Sequence, residues 1–467
     1  MKIDFILNND ELSIDVDPLF SVLRFLREER GLSSVKMGCG EGECGACTVI
    51  LGHHENGKMR YKSVVSCLLP VGELDGKHLV TLEGINGQGL SPVQKAFVDE
   101  GAVQCGFCTP GFIMSITGFF LSSKELSEKN ILNAIDGNIC RCTGYYSIKR
   151  GANRVLSEIA PKVDEKNRIS SLSENLVVPE YFNSIPDRLN KLKENRRKSG
   201  NNETAGKNTL FIAGGTDLLT RDTKSSGKDV VFVSGIKDIS TISSDSEFIY
   251  IGAGAVVEDI IDSKILNENI PGIDDFMYLI SSQIIRNRAT IGGNIVNASP
   301  IGDLSVLFLA LDPVLEIRSG SGIREVSFKE FFKDYKVMDL TEGELIFKIK
   351  VPLNQGNKFF NFEKVSRRKH LDIASCNSAA CFYIEKKTIK KCDLSAGGVA
   401  PVPLYLKKSS SYLAGKEVNE KTIKSVIDIA IEEISPISDV RGSAEYKKEL
   451  LKRLIKAHFD KLNRWMK

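Results

Sequence analysis

The sequence predicts a multidomain α+β protein, and three observations carry that prediction. Its 467 residues, 42% of them hydrophobic, exceed one ordinary core at about 150 residues per domain, so roughly three domains are expected. Residues 1–84 read as short strands around one helix, whereas 85–160 read as helices alone. Beyond Thr209, strand-like runs alternate with helical ones, the pattern of an α+β or α/β chain.

The elements follow in order. KIDFILN and ELSIDV alternate apolar and polar residues as half-buried strands do, Asp17-Pro18 opens the amphipathic stretch LFSVLRFLREERG, and Gly31 is its stop. Residues 60–67 and 78–82 supply further strands. Ser91-Pro92 and Thr109-Pro110 each start a helix, and SEKNILNAI and SIKRGANRVLSEI continue a bundle. Residues 161–178 are polar and poor in aromatics, as a linker is, and the charged tract 191–208 reads as a solvated helix end and loop. In 179–354, TLFIAGG, DVVFVSG, FIYIGAGA, DLSVLFLAL and ELIFKIKVP read as strands; in 355–467, AACFYIE and IKKCDLSA precede a helical tail.

Charge excludes some partners. With 63 basic and 60 acidic residues, the net +3 leaves no electrostatic footprint for nucleic acid or an anionic membrane. The N-terminus MKIDFILNND has acids where a signal peptide needs an apolar run, and the longest apolar stretch, Gly111 to Leu121, falls short of the roughly 20 residues that span a bilayer. A soluble, cytoplasmic protein is expected, its 11 cysteines reduced, so clustered cysteines are metal ligands rather than disulfides.

Two quartets stand out. Cys39, Cys44 and Cys47, with Cys67 beyond, have the C-x4-C-x2-C spacing of a plant-type [2Fe–2S] ligand set. Glycines at 38, 40, 42 and 45 let the backbone fold closely round such a cluster; a zinc ribbon would favour paired knuckles instead. The second quartet is Cys105, Cys108, Cys140 and Cys142. C-x-x-C alone suits a redox dithiol, but this one precedes a helix, and C-x-C some thirty residues on completes a second [2Fe–2S] set. Cys376, Cys381 and Cys392 lie in apolar surroundings and read as small buried hydrophobes. The five histidines, His53-His54 included, have no ligand spacing and read as surface or satisfied residues.

Two glycine strings suggest a phosphate-bearing cofactor. FIAGGTDL, residues 211–218, runs from a strand into a glycine turn where amides can approach a diphosphate, although no G-x-G-x-x-G accompanies it. RNRATIGGNIVNASPIGD, residues 286–303, offers neutral donors at Thr290, Asn294 and Ser299, and an acceptor at Asp303.

The strings CGEGECGACTV, SVVSCLLP, VQCGFCTPGFIMS and GNICRCTGYYSI resemble the paired cluster domains of the xanthine dehydrogenase and aldehyde oxidase family of molybdenum hydroxylases, almost continuously over residues 1–160. The glycine strings, with FEKVSRRKHLDIA from Phe362, resemble that family's flavin part. The resemblance implies a β-grasp ferredoxin-like domain at 1–84, a four-helix [2Fe–2S] domain at 85–160, a linker at 161–178, a vanillyl-alcohol-oxidase-type FAD domain at 179–354 and a small α+β C-terminal extension at 355–467. It implies FAD contacts at Phe211, Ile212, Ala213, Gly214, Gly215, Thr216, Asp217, Leu218, Ile280, Thr290, Ile291, Gly292, Gly293, Asn294, Ser299, Asp303, Ile346 and Lys364. With no His or Cys in either glycine string, the FAD is expected to be noncovalent.

It also implies a molybdopterin-binding large subunit as partner, in a heterodimer that pairs again, with Gln104 and the peptide around Cys142 at the boundary and able to hydrogen-bond the pterin. No residue of this chain is expected to hydroxylate substrate. Electrons would pass from molybdenum through the Cys105 and Cys39 quartets to FAD and then NAD+. Clusters and flavin on one chain favour the xanthine dehydrogenases over the aldehyde oxidases within the family. An iron–sulfur redox sensor is the non-enzyme alternative, and the flavin strings argue against it.

Overall fold

The computed structural model describes residues 1–467 apart from 56, 88, 198–207, 222–223, 354–355 and 369–370. The chain forms two compact units: Met1–Thr204 with Gly214–Phe232 and Ser282–Arg288, and Ala205–Ala213 with Val233–Ser281 and Ala289–Lys467.

The first unit opens on a five-stranded sheet made from β1 (Lys2–Leu7), β2 (Asp10–Asp15), β3 (Thr48–Glu55), β4 (Lys58–Val65) and β5 (His78–Val80), in the order β2-β1-β5-β3-β4. β1 is parallel to β5, and the other pairings are antiparallel. β1, β2, β4 and β5 match the expected strands; β3 had no alternation to reveal it, because its first five residues are all buried. The expected helix starts later than Asp17-Pro18. Asp17 Oδ1 accepts from Leu19 N at 2.9 Å in a local turn, and Ser21 caps Val22–Arg24. A wider turn, Phe25–Glu29, follows, and Gly31, at φ +68°, ends it.

Four helices then pack together: Pro92–Asp99, Thr109–Ser122, Glu128–Ala134 and Tyr146–Ile159. Ser91 and Gln94 make a reciprocal capping box at the first. Thr109–Ser122 buries every residue from Gly111 to Leu121, which accounts for the longest apolar run in the sequence. The stretch 161–178 is more than a linker. It carries the helix Arg168–Glu174, and Leu172, Val177 and Val178 are buried in the helical core. The charged tract begins as helix, Ile185–Arg197, and its remainder at 198–207 lies outside the described residues.

In the second unit, strands 242–244, 248–252, 314–319, 322–327 and 345–352 form a five-stranded antiparallel sheet. DLSVLFLAL is a correction: Asp303–Leu309 is a helix. Leu304 to Leu309 are all buried, so neither periodicity is visible in the string. A four-stranded antiparallel sheet, 358–365, 376–385, 388–397 and 404–405, packs on the helices Glu420–Glu433 and Ala444–Trp465. The expected boundary at 354/355, and Lys369 and His370 of the string from Phe362, lie outside the described residues. Among the described residues no helix is long and apolar enough to cross a membrane.

Candidate electron-transfer site

The loop between the first helix and β3 carries Cys39, Cys44 and Cys47, and Cys67 stands on the short turn after β4. Gly40, Gly42 and Gly45 have φ of +75°, +79° and +64°, which side chains resist. A Cβ on Gly38 would lie 2.7 Å from Cys44 Sγ, so only glycine lets the chain wrap that sulfur. The amide of Cys39 donates to Cys44 Sγ, and that of Glu41 to Cys39 Sγ, both at 3.4 Å. The second quartet flanks the start of the helix Thr109–Ser122 and precedes Tyr146–Ile159.

The eight thiols meet two by two. Cys105 and Cys142 have their sulfurs 3.5 Å apart. In each pair one thiol is made acidic and its neighbour is not. The Cys44 thiol, with nearby amides, draws Cys39 down to about 5, while Cys39 pushes Cys44 up. Cys67 lowers Cys47 and is itself raised by it. The Phe107 amide and then Cys142 lower Cys105, whose own hydrogen bond raises Cys142. Burial and then Cys140 push Cys108 up to about 12; Cys140 is lowered because hydrogen bonds from Thr143, Cys142 and Cys108 outweigh burial.

Among the described residues no three His, Cys, Asp or Glu side chains gather as a mononuclear ion requires. Thiolates arranged in pairs fit a binuclear iron–sulfur cluster. All eleven cysteines are unpaired, and Cys376, Cys381 and Cys392 are buried at 0%, 0% and 2% exposure, as small hydrophobes. His78 and His458 are buried and hydrogen-bonded, satisfied in the expected way.

Asn138 and Ile139, which the sequence reading passed over, join the two quartets. Ile139 N donates to Cys44 O at 3.0 Å, one residue before Cys140. Asn138, 2% exposed, donates to Gly45 O at 3.0 Å and accepts from Ser115 Oγ at 2.7 Å. Gly45 and Gly111 permit this approach: a Cβ on Gly45 would meet Gly137 O at 2.5 Å, and one on Gly111 would meet Gly45 O at 2.3 Å. The available signal was the Gly137-Asn138 dipeptide, one residue before the C-x-C pair. Gln104 is exposed, as are Cys105, Phe107, Ile139, Cys142 and Tyr146.

The flavin strings divide between the units. Phe211, Ile212 and Ala213 belong to the second, and Gly214, Gly215, Thr216, Asp217 and Leu218 to the first. In the second unit, Thr290 caps the helix Ile291–Asn297, accepting from Gly293 N at 3.0 Å. Ile291 N and Gly292 N are committed to Ala255 O and Ala253 O. Gly292 therefore answers to packing, since a Cβ there would lie 2.7 Å from Ala253 Cβ and O. Asn294 Oδ1 accepts from Ser305, and a Cβ on Gly302 would stand 3.2 Å from Ser299 O and 3.3 Å from Asn294 Oδ1.

Asp303, expected to accept from a hydroxyl, is held by Lys364 at 2.7 Å and Asn377 at 2.5 Å; Lys364 also donates to Leu279 O at 2.8 Å. Ile280 and Ile346 are 8% and 1% exposed in the apolar core. This donor set fits an anionic, hydroxyl-bearing cofactor: the hydroxyl of Thr290 and the amide of Asn294 can donate, and the carboxylate of Asp303 is already neutralised.

Four family models match in sequence: a 2Fe-2S iron-sulfur cluster binding domain at residues 5–71, a [2Fe-2S] binding domain at 81–153, an FAD binding domain in molybdopterin dehydrogenase at 185–354, and a CO dehydrogenase flavoprotein C-terminal domain at 361–462. The chain belongs to the molybdenum hydroxylase family. Within this family it is similar to the xanthine dehydrogenase/oxidase of Rattus norvegicus, at 29% identity over 93% of this chain and 37% of that one. It is 25% identical to aldehyde oxidase 2 of Macaca fascicularis, over 96% of this chain and 38% of the relative. It thus spans under two-fifths of those relatives' length.

A carbon monoxide dehydrogenase from Hydrogenophaga pseudoflava, in a form lacking the Mo-pyranopterin moiety of its cofactor, superposes with a TM-score of 0.51 at 26% identity, covering 54% of this chain and 88% of that one. The quinoline 2-oxidoreductase of Pseudomonas putida 86 shares the fold, with a TM-score of 0.50 at 24% identity over 55% and 89%. This molybdenum hydroxylase chain is therefore a multidomain α+β electron-transfer protein with two 2Fe–2S domains and an FAD-binding domain.

Proposed function

We propose that this chain is the electron-transfer part of a xanthine dehydrogenase, taking electrons from a molybdopterin-binding partner chain that hydroxylates the purine and delivering them to NAD+. The observation that carries the proposal is the hydrogen bond from Ile139 N to Cys44 O, which links the two thiol quartets by one backbone contact. Similarity to the rat protein over 93% of the chain supports the purine reading. A cytosolic location is part of the same reading, in which the clustered cysteines stay reduced as metal ligands.

Cys39, Cys44, Cys47 and Cys67 would hold one cluster; Cys105, Cys108, Cys140 and Cys142 would hold the other. The Phe211–Leu218 and Thr290–Asn294 strings, Ser299, Asp303, Lys364, Ile280 and Ile346 would hold FAD. When bound, the clusters supply one-electron carriage, and FAD supplies the pairing of electrons that hydride transfer to NAD+ requires. The residues of the chain orient and insulate. The amides of Cys39 and Glu41 point at thiol sulfur and favour its charged form, and Lys364 keeps Asp303 from repelling a diphosphate. Gln104, exposed beside Cys105, would hydrogen-bond the pterin at the boundary with the large subunit, in a heterodimer that pairs again. The macaque aldehyde oxidase similarity, over 96% of the chain, favours an aldehyde as the second reading.

The test is xanthine-dependent NAD+ reduction by this chain with its molybdopterin-binding partner, and by the chain alone. Activity only in the complex is expected, and Gln104→Ala should slow it while leaving NADH oxidation by an artificial acceptor nearly unchanged. Xanthine turnover by the chain alone, or a complex that oxidises aldehydes and ignores xanthine, would overturn the proposal.

A further inference from the structure

Arg288 is the third residue of the second glycine string and is only 10% exposed. Its guanidinium is shared between two partners. Nη1 donates to Glu73 Oε2 at 2.9 Å, while Nε and Nη2 both donate to the carbonyl of Gly214, at 3.2 and 2.9 Å. Glu73, fully buried, lies on the turn Val71–Leu74 shortly after Cys67, and Lys77 donates to the same carboxylate oxygen at 2.7 Å. Burial would raise the Glu73 carboxyl, but Lys77 and Arg288 outweigh it and hold the group down to about 2.

The carbonyl that Arg288 grips begins the glycine turn of the first flavin string. The next residue, Gly215, has φ +74°, and a Cβ on it would stand 3.3 Å from Pro70 Cδ and 3.4 Å from Leu68 O. The turn therefore rests on the chain that leaves Cys67, with no side chain of its own between. Burying charges costs desolvation that apolar residues would avoid, so hydrophobic packing gives no reason for the pair. Two parallel donors to one carbonyl with a third to a carboxylate require the planar fork of arginine; the point charge of lysine cannot supply them.

We propose that Arg288, braced by Glu73, is a positioning residue that holds the Gly214–Gly215 turn in its FAD-binding form against Leu68–Pro70. This rests on the reading of Gly214–Leu218 as flavin contacts and of Cys67 as a cluster ligand. The latch fixes the Gly214–Gly215 turn to the chain that leaves Cys67, and loosening it weakens FAD binding without disturbing the thiol quartets.

The test is FAD affinity of the full chain, measured by fluorescence titration beside the EPR signals of the reduced clusters. Arg288→Ala should weaken FAD binding at least tenfold with both cluster signals retained. Millimolar ethylguanidine should restore much of the affinity and ethylamine should not, a response that a general loss of packing would not give. Glu73→Gln, which keeps a neutral acceptor, should fall between wild type and Arg288→Lys. If Arg288→Ala does not fold, the other two variants carry the test. FAD binding at wild-type affinity in Arg288→Lys, or joint loss of FAD and cluster signals in every folded variant, would overturn the latch. A wild-type chain lacking FAD or iron would instead overturn the functional reading on which it rests.

Discussion

The backbone N–H of Ile139 reaches the carbonyl of Cys44 across 3.0 Å, and the side chain of Asn138 beside it reaches Gly45 O at the same distance. Two segments more than ninety residues apart are thus joined through a buried amide. The first bond satisfies the Cys44 carbonyl, and the second adds to the bonds that Thr48 N and Oγ1 already make to Gly45 O.

Asn138→Ala should cost about 1–3 kcal/mol, because it takes from Ser115 Oγ its acceptor in the interior and removes one of the bonds to Gly45 O, which Thr48 N and Oγ1 still reach. Urea unfolding followed by cluster absorbance measures this, and EPR of the reduced protein should show altered spin coupling between the two centres. An unchanged midpoint with unchanged coupling would remove Asn138 from the bridge.

Purified protein should carry about four irons as two distinct [2Fe–2S] centres, since each quartet offers the four thiolates of one such cluster. Cys44→Ser should halve the iron and abolish one EPR signal while the other persists. Loss of both signals in a folded variant would show that the centres are not independent.

FAD should be noncovalent and released intact by acid precipitation. Gly292→Val should deplete it while both cluster signals persist. The reason is packing: the new side chain drives into Ala253 and displaces the helix Ile291–Asn297, at a cost of about 1–3 kcal/mol. Stoichiometric FAD in that variant would separate the helix from flavin binding.

His458 lies between Asn361 Nδ2 at 2.7 Å and Ser378 Oγ at 3.1 Å. The Asn361 amide donates to Nδ1, so the ring is neutral with its proton on Nε2. Burial, against the pull of Glu363, lowers its pKa to about 4. The unfolded chain therefore takes up the proton first. Stability present above about pH 6.5 should be lost as pH falls through 4, at up to about 1.4 kcal/mol per unit. Denaturant melts followed by the single tryptophan, Trp465, should lose about 2 kcal/mol less between pH 7 and 5 in His458→Gln than in wild type. Identical pH slopes would contradict this.

By itself the sequence determined whatever depends on neighbours along the chain. The C-x4-C-x2-C loop, the cap at Ser91, the helix start at Thr109-Pro110, the strands of β1 and β2 and the glycine strings are local chemistry at fixed spacing, and composition and period reveal them. Only the tertiary structure decided how the thiols pair, that Asn138 and Ile139 join the quartets, that Glu73 and Arg288 grip Gly214, and that Asp303–Leu309 is a helix. Complete burial erases the alternation by which a strand or helix is recognised, as it does for β3 and for Leu304 to Leu309. Buried polar groups such as Asn138 and Glu73 find their partners dozens to hundreds of residues away, where no local pattern points to them, and the need to satisfy every buried donor and acceptor selects the contact.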